Sequence, residues 1–386
     1  MRENNCPPDR WAWVEIDLGA VRSNVRAFKK QLESGVRMMC VVKADAYGHG
    51  AVRCADVMSK AGAYSFAVAT PSEGVELRKS GIEEPIVVLS EPPISAIPML
   101  IEYDLEPAVY TTEFALAFGE AAADAGTVGK YHMAIDTGMH RIGVTPDDAL
   151  DFRHAVDFHR GLTCAGVFTH FATAEVPDDW DFRMQCKRFT DTVNALKSAG
   201  YETGLIHCDN TPGTILHKGM QFDMCRVGIG LYGLHAAPIT ASYIDLKPVM
   251  AVKARVTRAI EPEVGEGVGY GMTYRIANKG TQIATIPLGY ADGLARELSN
   301  RMDVIVNGTR CPQVGNICMD QTMFAVPPAS ANPFAPSTRV GYGDVVTLIG
   351  QDDDEAITLD DMAHIRRTIN YEVACDFGLR LEKIYV

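Results

Sequence analysis

Between residues 18 and 235, eight short apolar runs alternate with amphipathic helical segments. This alternation indicates repeated β-α units around a parallel sheet, and eight such units match a TIM-type barrel in size. A doubly wound sheet would have fewer strands and a G-x-G-x-x-G fingerprint after the first strand, which this sequence lacks there. The sequence therefore predicts an α/β fold with an N-terminal (β/α)8 barrel. Its strands are expected near residues 38–43, 65–69, 85–89, 106–110, 131–136, 164–169, 205–208 and 226–231.

Two of the connecting helices have clear sequence signals. Apolar side chains recur three or four positions apart from Phe182 to Leu196, ahead of Gly200, which predicts one buried stripe and a glycine stop. Thr145 followed by Pro146 predicts the start of another helix, because threonine caps helices and proline suits the first helical position.

The pattern changes after about residue 240. Residues 249–257 tend to alternate, residues 303–306 run into an Asn307-Gly308 turn that is typical of hairpins, and residues 344–349 form another apolar run. One helical segment, roughly 359–371, precedes a final strand. Because 386 residues exceed what one core usually supports, we predict two domains: a barrel over 1–240 and a mostly-β domain over 241–386.

Composition excludes several functional classes. A net charge of −13 offers no basic footprint for nucleic acid or for an anionic membrane. No apolar stretch is long enough to cross a bilayer, and the amino terminus lacks the apolar core of a signal peptide. The ten cysteines, from Cys6 to Cys375, contain no C-x-x-C pair and no zinc-like grouping. We therefore expect a cytoplasmic protein with reduced cysteines and no metal site.

Lys43 follows the apolar run Met38–Val42, at the point where the first predicted barrel strand gives way to a polar turn with glycines. Barrel enzymes place catalytic groups at the carboxyl ends of their strands. Loss of water lowers the pKa of a lysine, and the neutral amine can then form a Schiff base. From this pattern alone, a lysine that only aids solubility is the alternative.

Other polar groups also lie at the ends of predicted strands, among them His170 after the sixth strand and Arg226 at the start of the eighth. Arg226 is a permanent cation in an apolar strand and therefore needs a partner, which a structural salt bridge could also supply. The loops 210–213 and 228–230 contain glycines and lie after the last two strands, where barrels tend to bind phosphate. Ordinary loop glycines and a structural histidine remain the alternatives at these positions.

One segment is far more specific than these patterns. Residues 41–50 read Val-Val-Lys-Ala-Asp-Ala-Tyr-Gly-His-Gly and closely resemble the pyridoxal-phosphate attachment segment of alanine racemases. Further resemblances to this family follow in order along nearly the whole chain, at residues 13–18, 136–143, 169–174, 269–274, 289–293 and 318–320.

The resemblance implies pyridoxal 5'-phosphate as the cofactor, attached to Lys43. It implies that Arg226 donates a hydrogen bond to the pyridine nitrogen and disfavours protonation of the ring. Thr211 and the amides near Gly228 and Ile229 would receive the phosphate, together with the Tyr47 and Tyr371 hydroxyls. The expected cofactor-binding set is completed by His170 and Asn210.

The resemblance also implies a racemase that interconverts L- and D-alanine with two acid-base groups, Lys43 on one face of the substrate and Tyr270 on the other. Arg141 and the Met319 amide would hold the substrate carboxylate. In this family the tail of one subunit covers the barrel mouth of the other, so we expect a head-to-tail homodimer with composite sites. The tail would supply in trans Tyr270, Tyr290, Cys318, Met319 and Asp320. A supply of D-alanine for bacterial wall synthesis is the implied role.

The chain departs from the family pattern at three positions. Ala134 stands where many members carry a lysine, often carbamylated, that braces the substrate-binding arginine. Arg141 must therefore be oriented otherwise, by an anion or a neighbouring amide. Asp45 stands where asparagine is common, and His140 where glycine is frequent. These changes leave open a serine or broad-specificity racemase of the same family.

Two other classes compete with a racemase. A decarboxylase on a similar barrel would usually place an acid against the ring nitrogen, where this chain offers Arg226. A non-catalytic cofactor carrier would resemble the barrel alone and would not need Tyr270.

Overall fold

The structure, a computed structural model, describes residues 10–176, 179–328, 339–378 and 380–386. The chain divides into two compact units. The barrel unit contains residues 19–46 and 50–247. The sheet unit contains the amino-terminal residues up to Leu18, the short segment Tyr47–His49, and residues 248–386. Cys6 lies outside the described residues.

All eight predicted barrel strands are confirmed. Each hydrogen-bonded pair of neighbouring strands is parallel, and the first strand pairs with both the second and the eighth. The seventh and eighth strands are joined by single bonds, from the Arg226 amide to the Asp209 carbonyl at 3.0 Å and from the Asp223 amide to the Ile206 carbonyl at 3.0 Å. Barrel strands 1 to 8 are Arg37–Val41, Ser65–Val68, Ile86–Val88, Leu105–Val109, Gly129–Ala134, Leu162–Phe168, Leu205–His207 and Met224–Val227.

The eighth strand is shorter than the apolar run predicted. It ends at Val227, and Ile229–Tyr232 forms a 3-10 helix after Gly228. The apolar run in the sequence continues beyond the strand because the residues of this 3-10 helix are buried as well. An apolar run records burial, and it does not distinguish a strand from a short buried helix.

The helices of the barrel unit bury one face each. As predicted, Trp180–Ser198 buries Phe182, Phe189 and Leu196, and Gly200 follows with a φ of 85°. Burying such a side chain contributes about 1.5–3 kcal/mol. The predicted N-cap at Thr145 is wrong by three residues: the helix is Ala149–Val156 with Asp148 at its N-cap position, because the Thr145 hydroxyl closes a turn onto the Asp148 carboxylate at 2.6 Å. The α-helices are Leu18–Gln31, Ala51–Lys60, Pro71–Lys79, Ile97–Glu102, Thr112–Asp124, Ala149–Val156, Trp180–Ser198 and Thr211–Leu216, and the remaining 3-10 helices are Ile94–Ala96, Lys218–Met220 and Pro238–Ser242.

The sheet unit is built mainly from antiparallel strands, as its alternating pattern predicted. Its largest sheet contains the amino-terminal strand Ala12–Ile16, which pairs with Met250–Arg255 and, in parallel, with Glu382–Tyr385. The predicted Asn307-Gly308 hairpin is confirmed, and both turn residues have positive φ. The order of this sheet is Thr309–Pro312, Asp303–Val306, Val345–Asp352, Met250–Arg255, Ala12–Ile16 and Glu382–Tyr385, with Glu355–Ile357 on Val345–Asp352.

Smaller elements complete the sheet unit. The predicted helical segment is two helices, Leu359–Arg366 and Asn370–Asp376, because Arg367 has a φ of 57° that stops the first. Three-stranded and two-stranded sheets consist of Arg258–Ile260, Gln282–Ile286 and Thr322–Val326, and of Gly267–Val268 and Tyr274–Arg275. The 3-10 helices are Tyr270–Met272, Tyr290–Asp292 and Arg296–Leu298. Among the described residues, no helix combines the length and the apolar character that a membrane span needs.

Candidate active site

Lys43 lies directly after the first barrel strand, where the buried Val41 and Val42 give way to a half-buried ammonium. The next four residues, Ala44–Tyr47, have φ values between 51° and 56° and form one turn of left-handed helix. Left-handed conformation costs an L-residue about 1–2 kcal/mol. The Ala46 amide closes the turn onto the Val42 carbonyl at 2.9 Å. Such a strained turn persists only where its surroundings enforce it.

Two carboxylates hold this turn within the barrel unit. Glu73 accepts the Ala44 amide at 2.7 Å through one oxygen and the Ala69 amide at 2.7 Å through the other. Asp45 accepts the Ala51 amide at 2.7 Å, at the start of helix Ala51–Lys60. Asp45, which departs from the family pattern, therefore has a structural role. Sequence reasoning missed Glu73, although the Thr70-to-Glu73 capping-box spacing signals a carboxylate that turns back onto backbone amides.

Arg226 is buried inside the barrel and makes five hydrogen bonds through its two terminal nitrogens. Its acceptors are the imidazoles of His207 and His170, at 2.9 and 3.1 Å, and three main-chain carbonyls. No described carboxylate pairs with it, so the salt-bridge alternative has no support. Burial lowers the pKa of Arg226 to about 10, which still leaves a cation at neutral pH. Among the described hydrogen bonds, none involves Nε.

His170 interacts electrostatically with three of the predicted residues, Lys43, Arg141 and Arg226. Its Nδ1 lies 3.1 Å from Arg226 Nη2 and must accept, because guanidinium has only donors. Burial, and then the charges of Arg226, Arg141 and Lys43, lower the pKa of His170 well below its ordinary value. The imidazole is therefore neutral and carries its proton on Nε2. Lys43, Arg141 and Arg226 accordingly all lie within electrostatic reach of one neutral ring.

The loops after strands 7 and 8, where the sequence predicts phosphate binding, are in contact with each other. The Thr211 hydroxyl accepts the Gly228 amide at 2.9 Å, and the Asn210 side chain accepts the Gly213 amide at 3.0 Å. Thr211 and Ile229 are 3 % and 1 % exposed. A Cβ at Gly230 would lie 2.4 Å from the Phe28 ring, so this glycine is required for close packing. Main-chain amides and a hydroxyl in such a loop pair suit a phosphate dianion.

The loop that carries Arg141 is organised by Asp136. Its carboxylate accepts the Gly138 and His140 amides, each at 3.0 Å. Burial alone would raise the pKa of Asp136, but the bonds from His140 and Gly138 hold it below its usual range. His140 has a φ of 56°, a conformation that glycine adopts at lower cost.

Arg141 itself is exposed, and within the described residues its guanidinium makes no hydrogen bond or ion pair. Ala134 is buried against Ala108 and Phe168. A cavity of about 10 Å³ lies between Ala134 and Arg141, which is room for about one water molecule. An unpaired guanidinium at a cleft is suited to a carboxylate ligand.

Five predicted residues of the sheet unit form what we call the tyrosine surface: Tyr270, Tyr290, Cys318, Met319 and Asp320. Tyr270 is 75 % exposed and lies between two glycines with φ near 70°. The Asn316 side chain donates to the Tyr270 carbonyl at 2.7 Å, while the Asn316 carbonyl accepts from the Cys318 thiol at 3.5 Å. The phenol of Tyr270 is thus displayed by main-chain contacts.

The rest of the tyrosine surface is also fixed through the main chain. The Tyr290 and Ala291 amides donate to the Cys318 and Met319 carbonyls, both at 3.0 Å. A Cβ at Gly289 would lie 2.5 Å from the Met319 carbonyl oxygen, so only glycine fits there. Asp320 pairs with Arg380 at 2.7 Å. Tyr290 and Met319 are 41 % and 52 % exposed, so large side chains of this surface face solvent.

Tyr47 and Tyr371 meet within the sheet unit, with ring centroids 6.0 Å apart in an edge arrangement. Burial, and next the neighbouring Tyr371, raise the pKa of Tyr47, so its hydroxyl is a neutral donor. Gly48 is held against the Ala374 carbonyl, which a Cβ would approach to 2.4 Å.

The donor set in the barrel unit fits pyridoxal phosphate: an amine after strand 1, a buried guanidinium whose Nε has no described partner, and two amide-rich loops after strands 7 and 8. Among the described residues, no three His, Cys, Asp or Glu side chains group as a metal site.

Known proteins are similar to this chain in fold and in sequence. Residues 16–236 match the family model of the alanine racemase N-terminal domain, and residues 249–385 match that of the C-terminal domain. An alanine racemase of Halothermothrix orenii is 40 % identical over 97 % of both chains. The crystal structure of alanine racemase from E. faecalis has a TM-score of 0.91 and 36 % identity, covering 99 % of this chain and 100 % of that one. A histidine racemase from Leuconostoc mesenteroides subsp. sake has a TM-score of 0.88 and 30 % identity, with 99 % and 100 % coverage.

Proposed function

The chain belongs to the alanine racemase family, and we propose that it is a pyridoxal-phosphate-dependent isomerase that interconverts L- and D-alanine. The observation that carries this proposal is the grouping of Lys43, Arg141 and Arg226 around neutral His170 in the barrel unit. The cofactor supplies a conjugated ring that withdraws electrons from the substrate Cα when it is bound. The protein supplies the groups that hold it and move the proton.

The cofactor would be held at three points. Lys43 would hold the aldehyde end, Arg226 would donate through Nε to the pyridine nitrogen, and Thr211 with the amides of Gly228 and Ile229 would receive the phosphate. The Tyr47 and Tyr371 hydroxyls and the side chains of His170 and Asn210 complete this set. The described hydrogen bond from the Gly228 amide to the Thr211 hydroxyl brings the two loops together, and the amide would exchange this acceptor for the phosphate.

Arg226 favours racemisation over other reactions. It is a donor with a pKa far above that of pyridine, so it hydrogen-bonds the ring nitrogen without transferring its proton. A ring kept unprotonated by Arg226 would be a weaker electron sink, which would disfavour side reactions. A decarboxylase of similar fold would present an acid to the pyridine nitrogen. This chain offers Arg226 there instead, and among the described residues no carboxylate pairs with Arg226.

Two bases would act on opposite faces of the substrate Cα. Lys43 removes or returns the proton on one face, and Tyr270 of a second subunit does so on the other. A phenol ordinarily titrates near ~10, so a usable phenolate needs a nearby cation, for which Arg141 is the candidate. The exposure of Tyr270 in the tyrosine surface supports a head-to-tail homodimer with composite sites.

The substrate carboxylate would be held by Arg141 and the Met319 amide of the second subunit. Tyr290 and Tyr371 narrow the entrance and favour a small side chain, with Cys318 and Asp320 beside them. The alternative is a racemase for serine or for a broader set of amino acids. Two observations support testing this broader specificity: the cavity beside the small Ala134, and the similarity of the chain to a histidine racemase.

The cellular role that we propose is a supply of D-alanine for wall synthesis, in the cytoplasm. None of the nine described cysteines forms a disulfide, which suits a reducing compartment.

Two measurements test the function. Deuterium incorporation at Cα in D₂O, followed from both enantiomers of alanine, serine and histidine, reports proton removal for each substrate. We expect the fastest exchange with alanine. Release of carbon dioxide without exchange would instead indicate a decarboxylase.

Borohydride reduction followed by peptide mass spectrometry locates the cofactor. The proposal requires a phosphopyridoxyl group on Lys43, and attachment to another lysine or to none would contradict it. A cofactor carrier would show the label on Lys43 but no Cα exchange with any amino acid.

A further inference from the structure

Four polar side chains form a continuous hydrogen-bonded row across the inside of the barrel. Glu106 Oε2 lies 3.0 Å from His132 Nε2, and His132 Nδ1 lies 2.9 Å from His207 Nε2. His207 Nδ1 in turn lies 2.9 Å from Arg226 Nη1. The four residues come from strands 4, 5, 7 and 8. We call this row the Glu106–Arg226 relay.

The chemistry of arginine fixes the direction of every bond in the relay. A guanidinium has only donors, so His207 Nδ1 must accept, and a neutral His207 then carries its proton on Nε2. That proton is donated to His132 Nδ1, which leaves the His132 proton on Nε2, directed at Glu106. The Glu106 carboxylate accepts the hydrogen bond from His132 Nε2. Any reversed step would bring two donors face to face.

Burial removes the alternatives that water would offer. His207 and His132 are 0 % and 2 % exposed, and Arg226 is 3 % exposed. Burial, and then the charge of Arg226, lower the pKa of His207 well below its ordinary value, which agrees with a neutral ring. The Phe168 ring stacks on His207 at 5.1 Å and also lies under the Arg226 guanidinium, so the ring plane is fixed by packing as well.

The far end of the relay opens at the opposite end of the barrel. Glu106 and His132 line a cavity of about 350 Å³ together with Arg37, Ser65 and Met224, which are the first residues of strands 1, 2 and 8. Lys43 and Thr211 follow the carboxyl ends of their strands. Glu106 and His132 therefore cannot touch a cofactor held at the carboxyl ends.

We propose that Glu106 and His132 are positioning residues: Glu106 keeps the His132 proton on Nε2, and His132 Nδ1 then holds the His207 ring against Arg226, so that Arg226 keeps its Nε directed at the cofactor ring. The last clause rests on the function proposed above. The relay occupies Arg226 Nη1, while His170 and the Thr169 and Cys208 carbonyls occupy Nη2. With both terminal nitrogens held, the guanidinium cannot rotate. Removal of the carboxylate at Glu106 leaves the His132 proton without its protein acceptor, so the His132 ring is no longer held in one tautomer.

The test compares Glu106→Leu, which removes the acceptor, with Glu106→Gln, which keeps an acceptor oxygen. Asp104→Asn is the matched control, because Lys130 lies 3.9 Å from Glu106 and 3.5 Å from Asp104, and Asp104 is outside the relay. Nitrogen-15 NMR of histidine-labelled, cofactor-free protein reports the tautomer of each ring, with His132 and His207 assigned from His132→Gln and His207→Gln spectra. Fluorescence titration gives the affinity for pyridoxal phosphate.

We expect both rings to be Nε2-protonated and neutral in the parent protein, in Glu106→Gln and in Asp104→Asn. Glu106→Leu should give a mixed tautomer population at His132 and weaken cofactor binding about tenfold, as loss of an outer-shell partner typically does. A proton on His207 Nδ1 in the parent protein would overturn the proposal, and so would a Glu106→Leu protein with unchanged tautomer and affinity. Because the tautomers are read without cofactor, a parent protein that binds no pyridoxal phosphate would refute the proposed function and leave this test intact.

Discussion

The barrel unit and the sheet unit hold their candidate residues in different ways. In the barrel, Arg226 is buried and makes five hydrogen bonds, and the turn after Lys43 is held by the carboxylates of Glu73 and Asp45. On the tyrosine surface, Tyr270 and Met319 are 75 % and 52 % exposed and are positioned through their main chain. Groups that orient a cofactor are fixed by side-chain bonds, whereas groups offered to another subunit are displayed at a surface. Substitutions on the tyrosine surface should therefore change the rate of racemisation without changing the stability of the fold. Substitutions of the candidate residues in the barrel unit should change both.

The largest expected effect is at Tyr270. Tyr270→Phe should lower racemisation about 10²–10⁴-fold, because one acid-base group is removed. Lys43 would still exchange the proton on its own face, so one enantiomer should gain deuterium with retained configuration. Chiral chromatography with mass spectrometry measures both quantities. Tyr342→Phe is the matched control, since Tyr342 lies in the same unit and is 74 % exposed.

The melting temperature should not change in either tyrosine variant. Equal loss of exchange from both enantiomers in Tyr270→Phe would contradict a role on one face, and a large drop in stability would contradict the contrast between the two units.

The next effect concerns stability and sharpens the barrel side of the comparison. Asp209 is fully buried, and neither carboxylate oxygen has a hydrogen-bond partner among the described residues. Burial raises the pKa of Asp209 to about 8, although Arg226 opposes the shift. The folded state thus binds a proton that the unfolded state releases near pH 4. This contribution to stability is complete below that pH and is lost at about 1.4 kcal/mol per pH unit up to pH 8.

Asp209→Asn keeps the size of the side chain and removes this titration. Urea unfolding at pH 5.5 and 8 should show the parent protein losing about 3 kcal/mol more than the variant over this interval. Identical pH dependence in the two proteins would show that the carboxyl is solvated.

A smaller effect is expected at Glu73. Glu73→Ala removes the acceptor of the Ala44, Ala69 and Thr70 amides and should destabilise the protein by about 1–3 kcal/mol. Because the turn after Lys43 depends on one of these bonds, the rate of Cα exchange should fall as well. Glu76→Ala, an exposed position on the same helix, should change neither quantity. A destabilised Glu73 variant with unchanged exchange would show that this carboxylate does not position Lys43.

Local patterns predicted the barrel well, because strands buried on both faces read as continuous apolar runs. They failed where the decisive contact is distant in sequence. Strand Ala12–Ile16 pairs with residues near 250 and 384, and no periodicity in the first twenty residues signals this. The left-handed turn Ala44–Tyr47 contains no glycine, so its conformation follows from the Glu73 and Asp45 bonds and not from its own propensity.

The candidate site shows the same division. Lys43 and Arg226 could be found from the sequence, since each places a cation beside an apolar strand. Glu106 and His132 could not, because their role follows only from the register that aligns strands 4, 5, 7 and 8 around His207.

The most direct test of the central claim is complementation between two inactive chains. Lys43→Ala and Tyr270→Phe proteins are mixed, dissociated and reassociated, and racemase activity is compared with that of each variant alone. If Lys43 of one subunit works with Tyr270 of the other, half of the dimers are hybrids with one intact site each, and about a quarter of the parent activity should return. If the two residues act within one chain, every site stays defective and no activity returns.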